Sequence, residues 1–190
     1  MKKVSLLSAA IAGSFGLAAC QDEADVAPAQ ADIANKGLIE YASASQLKPT
    51  VSLPEAVALF TETHPQATIH SVELDSSWGK LQYEISGLDE SNEYEMYIDG
   101  ETKKVIKDST ENESETKNTI DFSAIIDPAT AIKTASESPE LTEMSPTSWE
   151  LEADDGIQRY TIQYEQGAQE AEVYVNALSG ELYSIELDDE

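Results

Sequence analysis

The chain has 190 residues, with 37 acidic side chains against 11 basic ones and a net charge of −26 at neutral pH. A surface that acidic repels phosphate backbones and anionic lipid headgroups, which excludes nucleic acid as a partner and a peripheral electrostatic membrane contact, and leaves cationic or neutral partners open. With one cysteine there can be no intramolecular disulfide, so the fold must be held by packing.

Lys2 and Lys3 precede an apolar run from Val4 to Gly16. The run is much shorter than the roughly 20 residues a membrane span requires, and it reads as the apolar region of a signal peptide. It closes at Leu17-Ala18-Ala19-Cys20, where the lone cysteine stands. This segment resembles a bacterial lipoprotein signal with its lipobox. The resemblance implies that residues 1–19 are removed and that Cys20 carries the lipid. Two or more acyl chains hold a protein stably, so a diacylated Cys20 would tether the chain to the extracytoplasmic face of the cell membrane. The competing reading is an ordinary secretory signal whose cysteine is incidental. Removal of residues 1–19 takes away Lys2 and Lys3 and no acid, so the net charge moves from −26 to −28.

Residues 20–49 are rich in Ala, Asp, Glu, Gln and Ser, with Pro28 and Pro49, and lack a sustained apolar period, which predicts a flexible acidic tether. Ile33, Gly37, Leu38 and Tyr41 sit near helical spacing, but the stalk is the stronger reading.

Residues 50–108 form a first module. Ser52-Leu53-Pro54-Glu55 has the pattern of a capping box, and Leu53, Ala56, Val57 and Phe60 make one apolar stripe before His64-Pro65 ends the helix. Leu81, Tyr83 and Ile85 alternate, as do Tyr94, Met96 and Ile98, which predicts strands. Gly79 supplies a hairpin turn, and Asp99-Gly100 precede a last strand at Val105-Ile106. A polar run from Asp108 to Thr116 opens an acidic linker over 109–124.

Residues 125–190 repeat that order. Asp127 caps, Pro128 takes the first helical position, and Ala131, Ile132 and Ala135 form a thinner stripe before Ser138-Pro139. Sliding the chain by 77 positions lays Glu73-Leu74 on Glu150-Leu151, Tyr83 on Tyr160, Ile85 on Ile162, Glu95 on Glu172 and Tyr97 on Tyr174. The predicted fold is α+β, with two repeated modules, each one helix packed on a small antiparallel β-sheet, and the sequence leaves open whether the modules share one sheet.

A capped Ala-Val or Ala-Ile helix, a His-Pro break, a Val-Glu-Leu strand, Gly-Lys with Tyr-Glu-Ile, and Glu-Met-Tyr-Ile-Asp before a final strand together resemble the PepSY domain, and both modules do so. The resemblance implies a small extracytoplasmic module that binds or inhibits peptidases. Two positions depart from it between the copies: Lys103 stands where the second copy has Gly180, and Ser138 replaces the His before Pro139. A peptide contact that needed that His would exist only in the first module.

The sequence holds no His-Glu-x-x-His, no Gly-x-Ser-x-Gly, no phosphate-binding glycine loop and no Cys pair, so no catalytic residue and no cofactor is expected. His64 lies at a helix end and His70 on a strand, which makes a metal pair improbable, and the dispersed carboxylates give no sign of opposed acid and base roles. Glu152, Asp154 and Asp155 with the C-terminal acids lack the spacing of a tight calcium loop, so no metal site is assigned. Trp78, at a hairpin tip where the second copy has Asp155, is a candidate binding anchor, against the alternative that it folds over its own sheet. Trp149, aligned with Val72, is expected in the core, while Tyr97 and Tyr174 either form an outer aromatic surface or pack the modules together. Trp78, Glu95, Tyr97 and Asp99 are therefore the candidate partner contacts, with an added peptide strand beside Glu95–Asp99 as the binding mode.

The function expected is that of a non-catalytic, membrane-tethered lipoprotein that binds an extracytoplasmic peptidase or cell-wall hydrolase, with inhibition or regulation of that enzyme as the finer reading. No peptidase domain follows in the chain, so such action is expected in trans. The alternative is a structural or envelope-stress lipoprotein whose acidic surface retains cations without a dedicated partner.

Overall fold

In the computed structural model, which describes residues 47–77, 79–113, 116–154 and 156–188, both predicted helix starts are used. Helix α1 spans Leu53–Thr63. Its Glu55 carboxylate accepts from the Ser52 amide at 3.0 Å and from the Ser52 hydroxyl at 2.7 Å, which fixes the first turn. Helix α2 spans Pro128–Ser136, and Asp127 accepts from the Ala129 amide at 2.8 Å. A short 3-10 helix, Pro139–Leu141, follows it.

Eight strands complete the described fold. After α1 come β1 (Thr68–Ser77), β2 (Lys80–Leu88), β3 (Asn92–Asp99) and β4 (Val105–Asn112). After α2 come β5 (Ser145–Asp154), β6 (Ile157–Gln166), β7 (Gln169–Asn176) and β8 (Leu182–Asp188). The acidic run expected to begin a linker at 109 is thus taken into β4 as far as Asn112.

The expectation of two repeated modules, each a helix on a small sheet, is wrong. All eight strands join in one antiparallel sheet of order β4-β3-β2-β1-β5-β6-β7-β8, so the fold is α+β but with a single continuous sheet. The cause lies in β1 and β5. Each would be the bare edge of a four-stranded sheet, with a row of unsatisfied N–H and C=O groups, and each satisfies the other. Their register pairs Val72 with Leu151, Glu73 with Glu150 and Leu74 with Trp149. Glu73 and Glu150 are also equivalent in the repeat, so an approximate twofold axis passes between them, normal to the sheet.

That axis sends both helices to one face. The core lies there, with Phe60, Leu74, Tyr83, Ile85 and Met96 from the first half, and Leu151, Tyr160, Ile162, Tyr164 and Val173 from the second, all buried. Trp149 is buried near the axis as expected, and its indole meets Tyr83 and Tyr160 edge-on, at centroid distances of 6.2 and 5.8 Å. The two tyrosine hydroxyls donate to the carbonyls of Val51 and Ile126, both at 2.8 Å, and so tie down the lead-in to each helix.

The turns before the last strand of each half are built alike. Asp99 accepts from the amides of Glu101 and Thr102 at 3.0 and 2.8 Å, and Asn176 accepts from those of Leu178 and Ser179, both at 2.8 Å. Both turns then need a left-handed residue. Gly180 takes it at φ 76°, whereas Lys103 takes it at φ 60°, the one positive-φ residue other than glycine among those described. A side chain in that region costs about 1–2 kcal/mol, and glycine gives back about 0.5–1 kcal/mol in unfolded-state entropy. Lys103→Gly should therefore raise stability in urea unfolding by about 0.5–1 kcal/mol, with Gly180→Lys changing it in the opposite direction. Lower stability of Lys103→Gly would show that the lysine side chain holds the turn in a way its backbone angle conceals.

Candidate functional site: the open face of the sheet

Strand alternation that sends apolar residues to the helix face sends their neighbours to the other, and no helix of the described residues covers that side. The registers align one row of side chains across the whole sheet: Lys107, Tyr97, Glu84, Glu73, Glu150, Thr161, Tyr174 and Ser184. Three consecutive positions of this row are glutamates. Like charges directly opposite one another on neighbouring strands destabilise a sheet.

The electrostatics follow from that row. Partial burial, followed by repulsion from Glu84, Glu150 and Asp75, pushes the Glu73 carboxyl up to about 7. Burial also raises Glu84. The Ser71 hydroxyl donates to Glu150 at 2.8 Å. Beside the row, His70 lies 3.0 Å from Glu93, which also receives the Lys117 ammonium at 2.7 Å. Desolvation and the nearby Lys117 charge hold the His70 imidazole below its usual range. Glu73, Glu84, Glu150, Glu152, His70 and Lys117 are among the walls of a shallow trough of about 500 Å³. Among the described residues no group of three or more His, Cys, Asp or Glu is arranged to hold a metal ion.

The residues singled out from sequence fall in different places. Cys20 and Trp78 lie outside the described residues. Glu95 and Tyr97 are on the open face, where the Lys107 ammonium sits 2.6 Å from the Glu95 carboxylate and 4.8 Å from the Tyr97 ring centre. That ammonium keeps the Glu95 carboxyl below its ordinary value. Tyr174 occupies the equivalent place beyond the axis, with the Arg159 guanidinium 5.4 Å from its ring centre. The two tyrosines therefore form the outer surface and do not pack the halves together. Asp99 is engaged in its turn, and the Thr102 hydroxyl and amide, with the Glu101 amide, hold its carboxyl low. The strand-addition mode expected at Glu95–Asp99 fails, because β3 is bonded to β2 on one side and β4 on the other. His64 caps α1 and lies 2.9 Å from Asp108, stacked near Tyr94 at a centroid distance of 4.3 Å.

The row of glutamates was not anticipated from sequence, although its signal was present. Glu73 and Glu150 align in the repeat, and antiparallel pairing about a twofold axis brings equivalent residues face to face.

Comparison with known proteins agrees with the internal repeat. The model of a family described as PepSY, peptidase propeptide and YPEB domain, matches residues 50–108 and 125–186. The first match runs from α1 to the first half of β4 and the second from α2 to most of β8. The chain is similar to a crystal structure described as a putative lipoprotein from Clostridium difficile 630, with 26% identity and a TM-score of 0.69 over 76% of this chain and 97% of that one. No curated protein matches the chain.

The Glu73 shift has a definite sign. The folded carboxyl holds its proton to about pH 7, whereas the ordinary value is 4.5, so folding takes up a proton between those limits. This contribution is complete below the lower value and is lost as pH rises through the upper one. Stability in urea should therefore fall between pH 5 and pH 8, and Glu73→Gln should flatten that fall. At pH 8 the variant should be more stable than the parent by about 1 kcal/mol, after allowance for solvent screening of a half-exposed group. Parallel pH curves for the two proteins would show that the row is already neutralised by cations.

Proposed function

The chain belongs to the PepSY family, and from that premise we propose that it is a lipid-anchored protein of the cell envelope that binds and restrains an extracytoplasmic peptidase or cell-wall hydrolase without chemistry of its own. The observation that carries the proposal is the tandem match, over two segments, to a family described by peptidase propeptides. Support for the anchor comes from Leu17-Ala18-Ala19-Cys20 and from the similar chain described as a lipoprotein. Among the described residues no helix is long and apolar enough to cross a membrane.

Binding without catalysis suits the geometry. The open face offers a broad acidic surface, with Tyr97 and Tyr174 at either end of the glutamate row, and a partner with a basic surface would be drawn to it. Glu95, Tyr97 and Asp99 are proposed as contacts through their side chains, and Trp78 as an apolar anchor. A second reading rests on the same glutamates, whose repulsion any cation would relieve: an envelope protein that retains cations without one dedicated partner.

Two measurements test the proposal. A soluble form beginning at Gln21 should bind and slow at least one secreted peptidase or cell-wall hydrolase of its host, and Trp78→Ala should weaken binding by about 2 kcal/mol. Salt-sensitive binding to many cationic proteins alike, with no enzyme slowed, would replace the proposal by the cation-retaining reading. In cells, Cys20→Ser should abolish lipid attachment and either leave the membrane fraction or remain unprocessed. A processed, membrane-bound Cys20→Ser protein would overturn the anchor.

A further inference from the structure

With β1 and β5 paired, the bare edges of the sheet among the described residues are β4 and β8. They are not alike. β4 starts with exposed Val105 and Ile106, at a break in its register with β3; from there on its helix-side face carries Asp108, engaged by His64 at 2.9 Å, and Thr110, and its open face carries Lys107, Ser109 and Glu111. Over Lys107–Asn112 the edge is polar on both faces and bears charges, and the break in register interrupts it beside the two apolar residues, so it is blunted against strand addition.

The β8 edge is two-sided. Its registers set Leu182, Ile185 and Leu187 opposite Val175, Val173 and Ala171, on the helix side. Ser184, Glu186 and Asp188 stand opposite Tyr174, Glu172 and Glu170, on the open side. The apolar row is left uncovered at its end, since Leu187 is 50% exposed. Leu187 is also one wall of a hollow of about 200 Å³ whose other walls include Pro139, Met144 and Gln169. On the open side Glu172 faces Glu186 and Glu170 faces Asp188, and among the described residues no lysine or arginine forms an ion pair with any of the four.

We infer that β8 is a docking edge for an added strand, supplied by a partner polypeptide whose side chains alternate between basic and apolar. Its backbone would complete the bare ladder. Its apolar residues would extend the Ile185–Leu187 row, with one entering the hollow beside Met144, and its basic residues would answer Glu186 and Asp188. Period two is what makes the match specific, because successive residues of a strand face opposite sides. A second copy of this chain is the poorer occupant: a β8–β8 pair would set the carboxylates of Glu186 and Asp188 against those of its twin. The inference rests on the proposal that the chain binds a polypeptide, and it names the chemistry of the segment bound.

The probe is a labelled heptapeptide alternating lysine and valine, titrated into the chain from Gln21 onward and followed by fluorescence anisotropy. Its controls are an isomer of the same composition with lysines and valines in separate blocks, and two versions N-methylated at odd or at even residues. The alternating peptide should bind at least about tenfold more tightly than the block isomer, and one of the N-methylated versions should lose at least about tenfold. Leu187→Glu and the pair Glu186→Lys with Asp188→Lys should each weaken binding to a similar degree, and the exposure of these side chains leaves folding intact, as circular dichroism would verify. Equal binding of the block isomer, or indifference to N-methylation, would reduce the effect to charge attraction and overturn the inference. So would sedimentation showing a dimer that the peptide dissociates, since the edge would then belong to a second copy. Failure of the peptide with an enzyme still restrained would remove only the β8 edge, whereas the enzyme assay decides the broader proposal by itself.

Discussion

The pairing of β1 with β5 is the constraint on which the remainder of the molecule depends. A domain of about 60 residues buries too little of its surface to be more than marginally stable, and a four-stranded sheet with an open side strand adds an unsatisfied ladder to that deficit. Joining the two halves through those strands removes both deficits together. It also determines where the core can be: a twofold axis normal to the sheet keeps α1 and α2 on one face, so two thin hydrophobic layers merge into one. The merger is visible in Trp149, which occupies the place of Val72 in the repeat and reaches the equivalent tyrosines of both halves. Each such edge-on pair is worth about 0.5–1.5 kcal/mol beyond its buried area. One large ring near an axis can serve both sides, while two would compete for the same volume.

Away from the axis the repeat conserves volume in place of residues. Phe60 of α1 lies over Gly87 of β2, so closely that a Cβ on that glycine would come within 2.8 Å of the ring. In the second half the helix contributes Ala135 and the strand contributes Tyr164, so the ring rises from the sheet toward the helix. Its hydroxyl then meets the Ile132 carbonyl at 3.1 Å and the Ser136 hydroxyl at 2.9 Å. The exchange fills the same space from opposite sides, as close packing demands, and it explains why α2 shows a weaker apolar stripe than α1.

Legibility followed the range of the interactions. Helix starts at Ser52 and Asp127, the turn at Gly79, and alternation along β2 and β3 are local, and each can be read from a few adjacent residues. The repeat was legible too, because a 77-residue offset is a property of sequence alone. What could not be read was the joining of the sheet, since nothing in Val72-Glu73-Leu74 or Glu150-Leu151 announces which strand it will pair with. That omission hid the meeting of Glu73 with Glu150, which only the pairing creates. Glu95–Asp99 looked like an edge for a separate reason: a last strand was expected only at Val105-Ile106, whereas β4 runs on to Asn112 and covers β3. Asp99 also has a local role that the sequence did not announce: its carboxylate serves the turn, as Asn176 does without charge in the second half.

The cost of the acidic face and its use have one origin. Any residue on a twofold axis between antiparallel strands meets its own equivalent, so a glutamate there must face a glutamate. Duplication thus concentrates like charge at the seam that holds the halves together, and Glu84 extends it to a third strand. The repulsion is confined to the open face, where water and counterions moderate it, and the apolar side of the same strands is untouched. A cationic partner on that face would bind the folded chain and not the unfolded one, and so would stabilise the seam by mass action. Binding and folding are in this way coupled through Glu73 and Glu150: the carboxylates that weaken the free protein are those through which a basic partner would strengthen it.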